Sequence, residues 1–523
     1  MQIRPTRWAL LGALSVAIPA LAQSAATTEP LKLPLPHTPC NMNCRDTGNV
    51  TPVPAATDPA LDHGRHRLIV LTDLGADNDD AQSIVHLLLY TNDIDVEGLV
   101  STTSTFMMDR VNPWLLERAI NAYEKVQPNL LLHDSRYPTA AHLRSLLRNG
   151  SEEYGLSGVG PKMDSEGSRQ IITSLRSDDP RPLWVTIWGG ANTLAQALWR
   201  IQNDEKPAVA SKLIARLRVY SIGDQDNSGA WIRRTFPTLF WIAPTSFGGS
   251  MMGAPIPEMH AEMNQLEWIA KNIQQGHGPL GEAYPDIAYG NEGDTESWLN
   301  LIPNGLNEPS YPNYGGWGGR FEMQTPKPMT FGFGGKIRNQ NLVVPEPETR
   351  AFWGSAEDEY PGPMKVAADW MQKLFAPAAN EKKIRDAGVP HWRWREDIQN
   401  DLAARMEWTT KPYAQANHQP IPELGKNTPA EFTVHSGQEF HLNAAPSHDP
   451  DHDSLSFYWF QYKEAGDYAG TIDFMPFVPN LADWPIVAPK VDAPKTIHFI
   501  CRVTDKGAPP LSRYLRVIVH VIP

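Results

Sequence analysis

Apolar and polar positions follow two different rhythms along the chain. From His66 to about residue 230, short β-branched and aromatic runs alternate with stretches of helical spacing. RLIVLTD (67–73) is a continuous apolar run that ends in an acidic, glycine-containing loop. AQSIVHLLLYTN (81–92) then repeats apolar residues at helical spacing, and DVEGLVSTTS (95–104) reads again as a strand. Strand, loop, helix and strand in this order predict a βαβ unit, and hence a parallel sheet covered on both faces. The pattern recurs in RPLWVTIWGG (181–190), ANTLAQALWRIQ (191–202) and LRVYSIG (217–223). Ligands of open α/β sheets sit beyond the carboxyl ends of the strands, so the loops after these three strands converge on one candidate site.

The second rhythm begins after residue 421. EFTVHSGQEFHLNAA (431–445), LSFYWFQY (455–462), TIHFICRVTD (496–505) and RYLRVIVHV (513–521) alternate apolar and polar residues between turn signals, which predicts a small β-sandwich. Between the two lies a stretch rich in turn residues and aromatics, residues 276–350, followed by helical patterns at 363–375 and 394–407. The expected division is an α/β domain over 63–412, a linker over 413–421 and an all-β domain over 422–523.

The amino terminus has its own logic. Met1–Ala22 places Arg4 and Arg7 ahead of an apolar stretch that ends in Ala20-Leu21-Ala22, the form of a cleaved signal peptide. Residues 23–62, rich in Pro, Thr and Ala, read as a linker. The expected location is therefore outside the cytoplasm, periplasmic or secreted. No later run is long and apolar enough to predict a transmembrane span. Of the three cysteines, Cys40 and Cys44 are placed to close a small loop in an oxidising compartment, leaving Cys501 in a strand.

Composition narrows the partners. The 523 residues carry 46 Lys and Arg against 59 Asp and Glu, a net charge of −13, and no basic stripe, which argues against nucleic acid. Forty-seven prolines, 38 glycines and 17 tryptophans suit a loop-rich exported protein that handles carbohydrate.

The chemistry concentrates in TDLGADNDDAQS, where Asp73, Asp77, Asp79 and Asp80 fall within eight residues. Carboxylates so close repel one another unless a hard cation neutralises them, and an all-oxygen set suits Ca²⁺. The alternative is an acidic cluster that caps the following helix. In the carboxy-terminal part, the Asp449–Asp453 run either shapes a turn or binds a cation, and it lacks the Gly and distal Glu of an EF-hand.

These motifs carry a resemblance. The strand ending in Asp, the Asp-Asp pair opening a helix, and WGGANTLAQAL look like the signature of inosine-uridine-type nucleoside hydrolases. More closely, TDLGADNDDAQS, SIGDQDNSGAWIRRTFP, EGDTESWLNLIPNGLN with GGWGGRF, and DPDHDSLSFYWFQY resemble exported cellulose-binding proteins that join a nucleoside-hydrolase-like domain to a β-sandwich. The resemblance implies an open, mostly parallel sheet with helices on both faces, plus an Ig- or cadherin-like all-β domain. It also implies Ca²⁺ held by Asp73, Asp80 and Asp294 with the carbonyl of Asn192, and Asp79 as general base. Because this loop is two residues longer than in the true hydrolases, Asp77 stays open as ligand or base.

Asp224, Gln225, Asp226 and Asn227 lie where the sugar-binding loop of that family would fall, although its Glu-x-Asn pattern is missing. Glu292 is either the leaving-group acid or a solvated loop residue, and Trp317, with Tyr311 and Tyr314, either a platform for sugar rings or packing beneath a Gly-rich lid. His260 reads as an ordinary helical histidine.

The expected function is Ca²⁺-dependent hydrolysis of a glycosyl bond in a nucleoside-like compound or a wall-derived glycoside. The alternative is a non-catalytic binder of carbohydrate such as cellulose, and a third reading is a surface scaffold acting through its β-sandwich. Kinship with this fold also implies a homo-oligomer.

Overall fold

The computed structural model describes residues 64–245, 261–287, 291–324, 350–360, 384–472, 474 and 480–523. The export segment, Cys40, Cys44, His260 and the helical pattern at 363–375 lie outside them.

An eight-stranded sheet organises the amino-terminal part. Its strands are β1 (His66–Thr72), β2 (Ile94–Ser101), β3 (Leu147–Asn149), β4 (Leu183–Ile187), β5 (Leu217–Ser221), β6 (Phe240–Ile242), β7 (Phe321–Gln324) and β8 (Phe352–Ser355), in the order 3-2-1-4-5-6-8-7. All neighbours are parallel except β7 and β8. β1 and β4 are buried along their whole length, as their unbroken apolar runs require of strands covered on both faces. Strand order reverses between β1 and β4, and such a switch point opens a crevice at the carboxyl ends of the strands.

The predicted helical patterns at 81–92 and 191–202 appear as α1 (Asp79–Leu88) and α5 (Asn192–Asp204), joined by α2 (Pro113–His133), α3 (Ala140–Ser145), α4 (Glu166–Arg176), α6 (Pro207–Ala215) and α7 (Ser228–Thr235), which the sequence pattern left unpredicted. α1 starts at Asp79, so Asp79 and Asp80 occupy its first turn, and Asn78 at the cap makes no side-chain capping bond. Acidic residues there oppose the positive end of the helix dipole.

The carboxy-terminal part is strand-rich. After the short pair β9 (Asp358–Tyr360) and β10 (Ile384–Asp386) come β11 (Glu431–His435), β12 (Glu439–Asn443), β13 (Ser456–Gln461), β14 (Asp483–Val487), β15 (Lys495–Thr504) and β16 (Ser512–Ile522). They form a four-stranded sheet, 11-16-15-13, and a two-stranded sheet, 12-14, around one apolar core that includes Leu442, Trp459, Trp484 and Phe499. Cys501 is a free, buried thiol on β15.

The two parts share more than a linker. The helix Arg395–Glu407 is buried around almost its whole circumference, which marks it as a core helix. Its Asp397 accepts from Ser512 at 2.9 Å and from the Tyr514 hydroxyl and Arg502, and its Asp401 accepts from Arg513 at 2.9 Å. Arg516 of β16 donates to the carbonyls of Leu306 (2.7 Å) and Gly315 (2.8 Å). The strand-rich part is thereby sewn onto the aromatic loops that follow the α/β core.

Candidate functional site

Each strand beside the switch point delivers one wall of the site. β1 ends at Thr72, whose hydroxyl donates to Oδ1 of Asp80, tying the start of the acidic loop to its end. A turn closed by the Ala76 N–H on the Asp73 carbonyl (3.0 Å) folds the loop back on itself. The Asp79 N–H donates to Oδ1 of Asp77 at 3.3 Å. Carboxylate oxygens of Asp77, Asp79 and Asp80 lie within 4.8 Å of one another, with Asp77 exposed, Asp79 half-buried and Asp80 buried.

Asp73 faces the turn after β4. A Cβ on Gly189 would stand 2.7 Å from Oδ1 of Asp73, and one on Gly190 would stand 2.5 Å from Oδ2 of Asp226. Any side chain in this turn would collide with a carboxylate, which is the physical content of the Gly-Gly pair. The Ser104 hydroxyl in the loop after β2 also lies beside Asp73.

Asp294 arrives from far along the chain. It is 3% exposed, it feels the charges of Asp79, Asp80, Asp73 and Asp77, and its Oδ2 is buried without a hydrogen-bond partner. Its loop is fastened from several sides. Thr295 meets Ser83 of α1 at 2.9 Å, and Trp188 at the end of β4 donates to Ser297 at 2.9 Å.

The electrostatics match this crowding. Burial, followed by the neighbouring carboxylates, pushes Asp79 up to about 9 and holds Asp80 and Asp294 well above the usual carboxylate range. Burial also lifts Asp73 to about 7, against the Ser104 hydroxyl, which favours its charge. Carboxylates buried and crowded in this way call for a compensating cation. Its donors are all hard oxygens, with one orphaned oxygen on Asp294, and they fit a divalent ion such as Ca²⁺.

Other residues singled out by sequence have prior commitments. Both oxygens of Asp224 are engaged by Arg233, at 2.9 and 2.6 Å. Asp226 accepts from the N–H groups of Ser228 (2.7 Å) and Asn192 (3.1 Å), holding two helix starts together. Gln225 donates to the Trp188 carbonyl, and Asn227 accepts from the Leu156 N–H at 2.9 Å. Asn192 opens α5 and spends its amide on Thr103 (2.9 Å) and the Glu153 carbonyl (2.7 Å).

Glu292 is neither a solvated loop residue nor a free acid. It is 1% exposed, adopts a positive φ of 50°, and places its oxygens 2.7 Å from the Tyr284 hydroxyl and 2.7 Å from His86 Nδ1. Its N–H donates to Gln82 of α1 at 2.9 Å, so it pins the Asp294 loop to α1. Trp317 is fully buried, with its Nε1 3.3 Å from the Tyr514 hydroxyl. It is a core residue against β16, not a platform facing solvent. Tyr311 is partly exposed and stacks on Tyr314 at 4.8 Å. Thr72, Ser104, His86 and Tyr284 were not legible as site residues; only the position of Thr72 immediately before Asp73 hinted at a role.

The parallel sheet with carboxylates at its switch point defines a nucleoside-hydrolase-like domain. Residues 67–321 match the family model described as cellulose-binding Sde182, nucleoside hydrolase-like domain, and residues 439–521 match that of the cellulose-binding protein Sde0182, C-terminal domain. Among solved structures, the chain resembles a nucleoside hydrolase-related protein from Saccharophagus degradans described as associated with carbohydrate metabolism. That match has 34% identity and a TM-score of 0.72, covering 88% of this chain and all of the other. No curated protein matches the chain. The chain belongs to this nucleoside-hydrolase-like, cellulose-binding family.

Proposed function

We propose that the protein is an exported, Ca²⁺-dependent hydrolase of glycosyl bonds that acts on a nucleoside-like compound or a wall-derived glycoside. The observation that carries this reading is the arrival of Asp294, with its orphaned buried oxygen, beside a carboxylate loop more than 200 residues away in sequence.

Asp73, Asp80 and Asp294, with Asp77 or Asp79, would hold the ion. Such an ion would supply charge that favours loss of a proton from water and would fix the hydroxyls of a sugar ring. The chain's own part is positional. Asp79, in the first turn of α1 and half-open to solvent, takes the proton of the attacking water, whose oxygen bonds to the anomeric carbon as the bond to the leaving group breaks. Glu292, His86 and Tyr284 keep the Asp294 loop against α1, so that the carboxylates meet in one fixed arrangement.

The test is turnover. A panel of nucleosides and plant-wall glycosides, assayed with Ca²⁺, should release free base or reducing sugar, and release should vanish with chelator and in Asp79→Asn. No turnover over the whole panel removes the catalytic reading.

A second reading, non-catalytic binding of carbohydrate such as cellulose, draws support from the description of the family. The commitments of Asp224 and Asn227, which leave their polar atoms engaged within the protein, point the same way. Retention of the full chain on insoluble cellulose without turnover favours it.

A further inference from the structure

At the far end of α2, two imidazoles stand among aromatic rings. His133, the last residue of α2, stacks on Trp408 at 5.1 Å and 4°, and His418 stacks on Tyr413 at 3.7 Å and 15°. The imidazoles meet edge to edge, with His133 Nδ1 2.9 Å from His418 Nε2. Their outer nitrogens face acceptors. His133 Nε2 lies 2.8 Å from the Lys411 carbonyl, and His418 Nδ1 lies 3.0 and 2.9 Å from the two oxygens of Asp451. The His418 N–H also donates to Asp451, at 2.7 Å.

Hydrogen counting decides what this chain of contacts requires. A carbonyl and a carboxylate only accept, so both outer nitrogens must carry hydrogens. The inner contact needs one more hydrogen, since two bare lone pairs at that distance repel. Three N–H hydrogens on two imidazoles leave the pair with one positive charge.

We propose that His133 and His418 share one proton as a single imidazolium balanced by Asp451, and that the pair is a pH-sensitive latch. It fastens the 449–453 loop of the strand-rich part to α2 of the α/β part.

The surroundings agree. Lys411 is paired with Glu407 at 2.7 Å and Asp134 with Arg136 at 2.6 Å, while Asp449 and Asp451 both act on Tyr413. That leaves Asp451 as the carboxylate in contact with the pair. The carboxyl end of α2 favours positive charge at His133. Burial lowers the affinity of His133 for a proton of its own, and His418 adds to the effect, consistent with one shared proton and not two. The latch is intact at low pH and weakens as pH rises through the midpoint of the pair, where the inner lone pairs face each other and Asp451 loses its counter-charge.

The test uses the full-length protein with ¹⁵N-labelled histidine. Nitrogen shifts should show one proton shared by the two rings at pH 6, lost in a single joint step. Asp451→Asn should lower the midpoint of that step by about one pH unit. Amide exchange in 449–453 should accelerate above the midpoint, and His133→Gln should abolish this pH dependence. Two neutral rings at pH 6, or a midpoint unmoved by Asp451→Asn, overturns the proposal.

Discussion

Two groups of buried aspartates sit in this protein under opposite conditions. Asp397 and Asp401 lie on a buried helix among Arg502, Arg513 and Arg405; the arginines hold Asp401 well below the usual carboxylate range despite its burial, whereas at Asp397 burial outweighs Arg502 and the carboxyl is still pushed up. Asp73, Asp79, Asp80 and Asp294 lie at the switch point of the sheet among their own kind, and all are pushed up. Burial is similar in both places. The difference is the counter-charge, which arginines of the chain supply in the first group and which the proposed Ca²⁺ would supply in the second. A buried charge whose partner is part of the fold holds the structure together, whereas buried carboxylates facing one another raise each other's affinity for protons and favour a cation.

The contrast is broken most severely at the paired group. Asp401→Ala leaves Arg513 without its carboxylate and Arg405 with Asp93 alone, and should destabilise the protein by about 3 kcal/mol in urea denaturation. The equivalent loss of charge at the other group should do the reverse: Asp294→Asn relieves repulsion and should raise the stability of the metal-free protein. In the wild-type chain, Ca²⁺ at a hundred times its dissociation constant should add about 2.7 kcal/mol. Asp294→Asn should respond to Ca²⁺ much less. If the wild-type chain gains no stability from Ca²⁺ and the variant is less stable than wild type, the comparison collapses.

A smaller effect sharpens the paired side. His498 is held down to about 2 by burial, helped by Arg516, whose guanidinium lies 3.2 Å from its Nδ1. Unfolded histidine titrates near pH ~6.5, so below that the unfolded chain takes up a proton that the folded protein refuses. This contribution to stability is intact above pH ~6.5 and is lost as pH falls toward the depressed folded value. By pH ~5.5 the loss should reach about 1 kcal/mol, and His498→Gln should flatten that part of the acid limb.

Much of the fold was legible because strand and helix formation leave local marks. The runs 67–72, 183–187 and 217–221 became β1, β4 and β5, and the helical spacing of 191–202 became α5. The acidic loop was legible for the same reason, since its four carboxylates are neighbours in sequence. Between platform and packing residue, Trp317 could not be decided from sequence because its burial depends on Tyr514 and β16, nearly 200 residues later. Glu292 resembled a loop acid because nothing near it in sequence announces His86, which reaches it from α1.

By itself, then, the sequence determined which segments become strands and helices, and that a hard-oxygen cluster follows the first strand, because both depend on residues a few positions apart. Only the tertiary structure decided which acidic residues find a counter-charge. That choice depends on which distant segments pack together and on which side chain meets a carboxylate once water has been excluded. It brought Asp294 to the cluster, gave Asp224 to Arg233, and closed Glu292 off behind Tyr284 and His86.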